Sequence, residues 1–330
     1  MAEFLTFDTD LTAVANAIRA KGGTSAQLIY PSGFVSAIQA IQTGITPKLV
    51  VTTTPGAAIT ATPAEGFKVV KGTAGADGMC TLELPKAGTW HVTAMANSVS
   101  NSQHIVIGTQ NMLLPLYHDT FADNTWEEII AVCRTGIAPD SWAVGDSKTM
   151  NIGGTAYQVD IIGKNHDEYA DGSGTAPLTF QLHDCYSEAK QMYSTNLSGL
   201  GWKNTDMRLT YLPAILALMP AEVQNGIRAV NKKTSEGGNS TTIETVSDTL
   251  FLLSEVEIFG TASSSVAGEG SQYDYYKAGN PKIKKREGVD EFWWERSSAS
   301  GGMFCRVRAN GQAGASNASN SLGVRFAFCF

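Results

Sequence analysis

Three His-Asp pairs occur in this chain: His118-Asp119, His166-Asp167 and His183-Asp184. Histidine beside a carboxylate can hold a divalent metal for hydrolysis. Metal hydrolysis by such pairs is normally carried on helices, whereas "IIGKNHDEYADGSG" reads as a strand running into a polar loop. Structural and turn roles are therefore expected, with no metal site and no cofactor. The five cysteines, Cys80, Cys133, Cys185, Cys305 and Cys329, are odd in number, widely spaced and free of any C-x-x-C pair. They read as buried thiols. Cys305 and Cys329 could face each other on paired strands, although a reducing compartment disfavours a disulfide. The basic run "PKIKKREG" at 281–288 could touch phosphate but reads as a solvated loop. No nucleophile elbow, P-loop or dinucleotide fingerprint is present.

The tail is more informative. From Ala299 to Ser321, 16 of 23 residues are Gly, Ala, Ser or Asn, a composition that ordinarily marks a linker. Yet Trp293-Trp294 precede it and Phe326, Phe328 and Phe330 follow it, so it is anchored at both ends. Between Arg296 and Phe330 there is no Asp or Glu, while Arg296, Arg306, Arg308 and Arg325 are all cationic. The segment cannot supply carboxylates to a calcium-dependent sugar site. Any ligand there is expected to meet a locally positive surface of small residues.

Three segments must position these groups. Residues 1–45 read as a short helical module: Asp8 or Asp10 caps a helix carrying Leu11, Val14, Ala15 and Ile18, and Phe34, Ile38 and Ile41 line a second. Residues 46–108 are short alternating runs broken by Pro, Gly, Asp and Asn, the pattern of a small β-sandwich spacer. Residues 109–330 mix both periods, an α+β unit. In it Thr125 and Glu128 are spaced as a capping box with Gly136 as the stop, and Gly153-Gly154 turns a hairpin. "SEAKQMY" and "LPAILALMPAEVQNGIRAV" read as helical, the latter as two helices with Pro213 and Pro220 in first-turn positions. At the end, Val324, Phe326, Phe328 and Phe330 alternate with Arg325, Ala327 and Cys329 along a closing strand.

A net charge of −7 argues against a general nucleic-acid binder. No apolar run reaches the length of a membrane span, so no membrane insertion is expected. "MAEFLTFDTD" lacks the features of a secretory signal, which points to synthesis in the cytoplasm.

Taken together, "FWWERS", "FCRV" and "NASNSLGVRFAFCF" resemble the end of a C-type-lectin-like domain of the formylglycine-generating-enzyme type. "WAVGDSKTMNIGGTAYQVDIIGKNHDEYADGSGTAPLTFQLHDC", "LFLLSEVEIFG" and "GEGSQYDYYKAGNPKIKKR" resemble the same family, so the match covers 109–330. The calcium motifs of animal lectins (Glu-Pro-Asn, Gln-Pro-Asp, Trp-Asn-Asp) are missing. "FDTDLTAVANAIRAKGGTSAQLIYPSGFVSAIQAI" is similar to the opening of tail proteins from phages of Gram-positive hosts. The segment "PGAAITATPAEGFKVVKGTAGADGMCTLELPKAGTWHVTA" is similar to their immunoglobulin-like or transthyretin-like spacers.

The resemblance implies a multidomain, non-enzymatic receptor-binding protein of a phage tail, made in the host cytoplasm. It would bind a host surface protein or glycan through 109–330, join other tail proteins through residues 1–45, and form a homotrimer. Domains with this ending include the variable proteins of diversity-generating retroelements, in which adenine-directed reverse transcription varies a C-terminal repeat. That implies a variable surface at about 295–325. The residues expected to be displayed for ligand are Ser300, Gly301, Gly302, Met303, Arg306, Arg308, Asn310, Gln312, Gly314, Ser316 and Asn317. Those expected to be fixed scaffold are Trp293, Trp294, Arg296, Phe304, Val307, Gly323, Val324, Phe326 and Phe328. Alternation along 304–309 would put Phe304 on the arginine side, which predicts a bend or bulge nearby. Two other readings stay open: a structural baseplate protein without a ligand, and a copper oxidase of the formylglycine-generating type that would need Cys305 and Cys329 as a pair.

Overall fold

The computed structural model describes residues 12–18, 47–64, 68–85, 87–107, 110–238 and 240–330. Residues 12–18 are helical, with Ala15 and Ile18 buried and Val14 exposed. The remainder of the predicted helical module at 1–45 lies outside the described residues. The chain is β-rich and divides into two compact units, 1–114 and 115–330.

Among the described residues the first unit holds seven strands in two sheets. One sheet has the order β4 (Met79–Glu83), β1 (Lys48–Thr52), β7 (Gln110–Leu113). The other runs β3 (Val70–Thr73), β2 (Ala58–Pro63), β5 (Gly88–Ala96), β6 (Val99–Ile107). Burial alternates along β1, β2, β4 and β5, which places Leu49, Val51, Ile59, Leu82, Trp90 and Val92 inside. Gly72 on β3 has no room for a side chain, because a Cβ there would lie 2.5 Å from Cys80 Sγ and 2.7 Å from Leu82 of the facing sheet.

The second unit begins with helix α1 (Trp126–Thr135). Thr125 and Glu128 form the predicted capping box, and Gly136 closes the helix in the left-handed region at φ 77°. Strands β8 (Ser147–Ile152) and β9 (Thr155–Lys164) form the hairpin that turns at Gly153-Gly154, both at positive φ. They continue into an antiparallel sheet of order β18 (Ala327–Cys329), β10 (Leu178–Leu182), β9, β8. Phe180 on β10 packs on Phe121, Phe328 and Phe330, and Trp126 of α1 meets Phe180 and Phe330 edge-on. Side chains of this size contribute about 1.5–3 kcal/mol each when fully buried. This cluster is what ties the C-terminal strand down.

Pro213 lies in the first turn of the helix Leu212–Leu216, and Pro220 caps the next, Ala221–Gly226. The helix expected over 187–193 does not form. Its backbone pairs with the distant tail instead: Lys190 N donates to Leu322 O, while Met192 N and Tyr193 N both donate to Ala318 O. Tertiary pairing takes the donors that a helix would have used. The closing strand is short, Ala327–Cys329, and residues 323–330 are all buried; Phe251 bridges Ala327 and Arg228 bridges Cys329 on the edge that β10 leaves open.

A candidate ligand surface

After the antiparallel pairs β11 (Val230–Ser235) with β12 (Ile243–Asp248) and β13 (Lys284–Arg286) with β14 (Val289–Glu291), the tail folds as a separate antiparallel sheet of order β15 (Trp293–Ser298), β16 (Met303–Val307), β17 (Ala313–Asn317). Every residue of β15 is buried. Trp293 Nε1 donates to Lys282 O at 3.0 Å and Trp294 Nε1 to Lys190 O at 2.8 Å, so both indoles sit inside with their polar edges satisfied. The predicted irregularity falls in β15 rather than β16. Trp294 opposes Arg306 and Ser298 opposes Phe304, leaving extra residues on the β15 side. The β16–β17 register is unbroken from Met303↔Asn317 to Val307↔Ala313. Phe304 keeps its place on the arginine side and is buried beside the Tyr193 ring.

Arg296 holds β15 from below. Its guanidinium donates to both Glu257 oxygens, at 2.5 and 2.8 Å, and to the carbonyls of Leu252, Lys233 and Glu269. Lys232 Nζ lies 2.8 Å from Glu257 and 2.6 Å from Asp167, whose carboxylate also accepts from Thr179 and Tyr273. A buried ionic chain thus links β15 to β10. Burial alone would raise Asp167, but Lys232 and His166 hold it well below the usual carboxylate range. A cleft of about 490 Å³ opens over these groups, lined in part by His166, Asp167, Lys232 and Glu257. Lys232, Asp167 and Glu257 in this cleft are already committed to one another.

Glu295 is different. Neither carboxyl oxygen has a hydrogen-bond partner among the described residues, the side chain is fully buried, and burial with the nearby Glu255 and Glu269 pushes it well above its ordinary value. Glu255 beside it accepts from the amides and hydroxyls of Ser263 and Ser265 and the amide of Ser264.

The residues expected as scaffold, Trp293, Trp294, Arg296, Phe304, Val307, Gly323, Val324, Phe326 and Phe328, are all buried. Among those expected to be displayed, Ser300, Gly301, Arg308, Asn310, Gln312 and Asn317 are exposed, and Gly302, Met303, Arg306 and Ser316 are half-buried. Gly314 is the exception. It is buried beneath Arg308, whose Nε would lie 2.7 Å from a Cβ at that position. Gly302 also has no freedom to vary: its φ is 77° and a Cβ would meet Asn196 O at 2.6 Å.

The locally positive surface expected of the tail rests on two of its four arginines. Arg296 and Arg325 are fully buried, the latter donating to Leu182 O and Tyr276 and lying over the Trp293 ring. Arg306 and Arg308 remain at the surface. Lys284 of the basic run is buried too, and burial followed by the charge of Arg325 lowers it to about 7. Residues missed from sequence are Phe292, whose ring lies 4.2 Å from the Arg306 guanidinium, and Asn196 and Gln191, which bind Ser319. Asn196 and Gln191 are more than a hundred residues away from Ser319, so no local pattern could have placed them.

All five cysteines are free and buried. Cys305 belongs to the β15–β16–β17 sheet and lies 3.9 Å from Glu255, whereas Cys329 belongs to the β18–β10 sheet and lies 3.5 Å from Thr179 Oγ1. They do not occupy paired strands. His183 of the third His-Asp pair binds Asp160 through Nδ1 at 2.8 Å, and His166 of the second stacks on Tyr273. Among the described residues no group of three or more His, Cys, Asp or Glu could hold a metal, and no helix is long and apolar enough to cross a membrane.

A family model described as a domain of unknown function, DUF6273, matches residues 179–330. The match begins in β10 and takes in the whole of the β15–β16–β17 sheet. No curated protein matches the chain.

Proposed function

We propose that this chain is a non-enzymatic receptor-binding protein of a phage tail, which uses a C-type-lectin-like domain at 109–330 to present the β16–β17 face to a host surface ligand. In this reading residues 46–108 are an immunoglobulin-like or transthyretin-like spacer, residues 1–45 attach to other tail proteins, and three copies assemble on the virion tail. One observation carries it: buried anchors and exposed positions alternate through a segment too poor in apolar residues to fold by itself. Trp293, Trp294, Phe304 and Val307 are fully buried, while Ser300, Arg308, Asn310, Gln312 and Asn317 stand in solvent between or beside them. Such a layout lets exposed side chains change while the fold is maintained from beneath. Many copies on one particle would convert modest single-site affinity into firm adhesion.

The test is competition. Purified full-length chain, added in excess to the bacterium that the particle infects, should block particle adsorption in a saturable way. Undiminished adsorption at saturating protein would leave a structural tail component as the better account.

A further inference from the structure

Arg306 on β16, opposite Gly314, and Arg308 just beyond the end of that strand sit two residues apart, near Ala313 and Ala315 of β17. Arg306 Nε donates to Ala315 O at 3.1 Å, and Arg308 Nε donates to Ala313 O at 3.1 Å. The register explains which carbonyls these are. Arg308 N donates to Gln312 O and Ala318 N to Gly302 O. Counting in twos between these bonds makes Arg306–Gly314 and Phe304–Ser316 the hydrogen-bonded pairs. Ala313 and Ala315 therefore turn their own N–H and C=O away from β16, toward the edge where β17 has no neighbouring strand. Each arginine engages one of those outward carbonyls, and Arg308 lies over Gly314.

The edge that results is made of donors. Its carbonyls at 313 and 315 are occupied, its N–H groups point outward, and no described residue accepts from Nη1 or Nη2 of either arginine. Neither guanidinium has an ion-pair partner among the described residues, and no acidic residue lies between 296 and 330. Burial, and after it the charge of Arg308, pushes Arg306 below its usual value, as expected for two unneutralised cations side by side.

Resting on the receptor-binding reading above, we infer that the arginine-capped edge of β17 takes an oxyanion of a surface polysaccharide, a carboxylate or a phosphate. Two guanidiniums with free terminal nitrogens present the planar donor geometry that such groups accept bidentately. An acidic peptide adding as a further strand is disfavoured, since strand addition needs both donors and acceptors along the edge and the acceptors are already engaged. Polysaccharide oxyanions need only donors.

Binding of the immobilised full-length chain to polygalacturonate, a phosphomannan, neutral dextran and polyglutamate tests this. At least one acidic polysaccharide should bind, more weakly as NaCl rises, and dextran should not. The carboxylate and phosphate polymers separate the two sources of the anion. Arg308→Ala, at an exposed position, should weaken that binding about tenfold with an unchanged melting temperature. Arg306→Gln, which keeps a flat group over Phe292, should do the same. The inference is overturned if no acidic polysaccharide binds better than dextran, if both variants bind as the parent does, or if polyglutamate is preferred. If the same protein still blocks particle adsorption in those cases, this inference alone fails; if it does not block, the receptor-binding reading fails with it.

Discussion

Arg296 and Glu257 face each other through two hydrogen bonds of 2.5 and 2.8 Å, with neither side chain open to water. Glu257 is shared with Lys232, so the pair is the centre of a chain of charges rather than an isolated bridge. Replacing one member strands the others in a dry interior. Glu257→Gln should therefore cost about 3–5 kcal/mol, the range for breaking a buried pair from one side. Urea unfolding of the full-length chain measures it. A loss under about 1 kcal/mol would mean that water reaches this network.

The unpartnered Glu295 gives the fold a signature in pH. Its folded-state value lies above the ordinary 4.5, so the folded chain binds a proton there that the unfolded chain releases. The stability it allows is fully present below pH 4.5 and is lost as pH rises toward the folded value. Glu295→Gln removes this linkage. Relative to the parent, the variant should gain by up to about 1.4 kcal/mol per pH unit above 4.5. Unfolding free energies at pH 5 and pH 8 check the sign; an equal difference at both would show Glu295 to be ionised in the folded chain.

Glycines in the tail differ in what they permit. Gly302→Ala forces a side chain into the left-handed region and against Asn196 O, and should destabilise by about 1–3 kcal/mol. Gly314→Ala meets the mobile end of Arg308 instead, and should displace that arginine with a smaller loss of stability. Asn310→Ala and Gln312→Ala, in the exposed turn, should stay within about 0.5 kcal/mol of the parent. Thermal melts of the four variants rank them; a Gly302→Ala protein as stable as Asn310→Ala would contradict the geometry at 302.

Local signals were readable in the sequence where local physics decides. Thr125, Glu128 and Gly136 bound α1 as their spacing predicts, and Gly153-Gly154 turns the β8–β9 hairpin. The segment 187–193 was misread because its backbone partners, Ala318 and Leu322, lie far along the chain. Distance in sequence also hid the fate of the charges. Arg325 looks like a surface cation until Tyr276 is brought to it. Polar type separated most exposed tail positions from the aromatic anchors, but glycine carries no such mark, so Gly314 was placed on the wrong side.

The most direct measurement of the central claim is to sequence the encoding locus and search for a near-copy of the DNA for residues 295–325. The account predicts such a copy, differing mainly at adenines, beside a reverse transcriptase gene. The differing codons should fall at exposed or half-buried positions such as 300, 303, 306, 308, 310, 312, 316 and 317. They should spare 293, 294, 302, 304, 307 and 314. Absence of any copy, or differences concentrated at the buried anchors, would contradict a tail built for display.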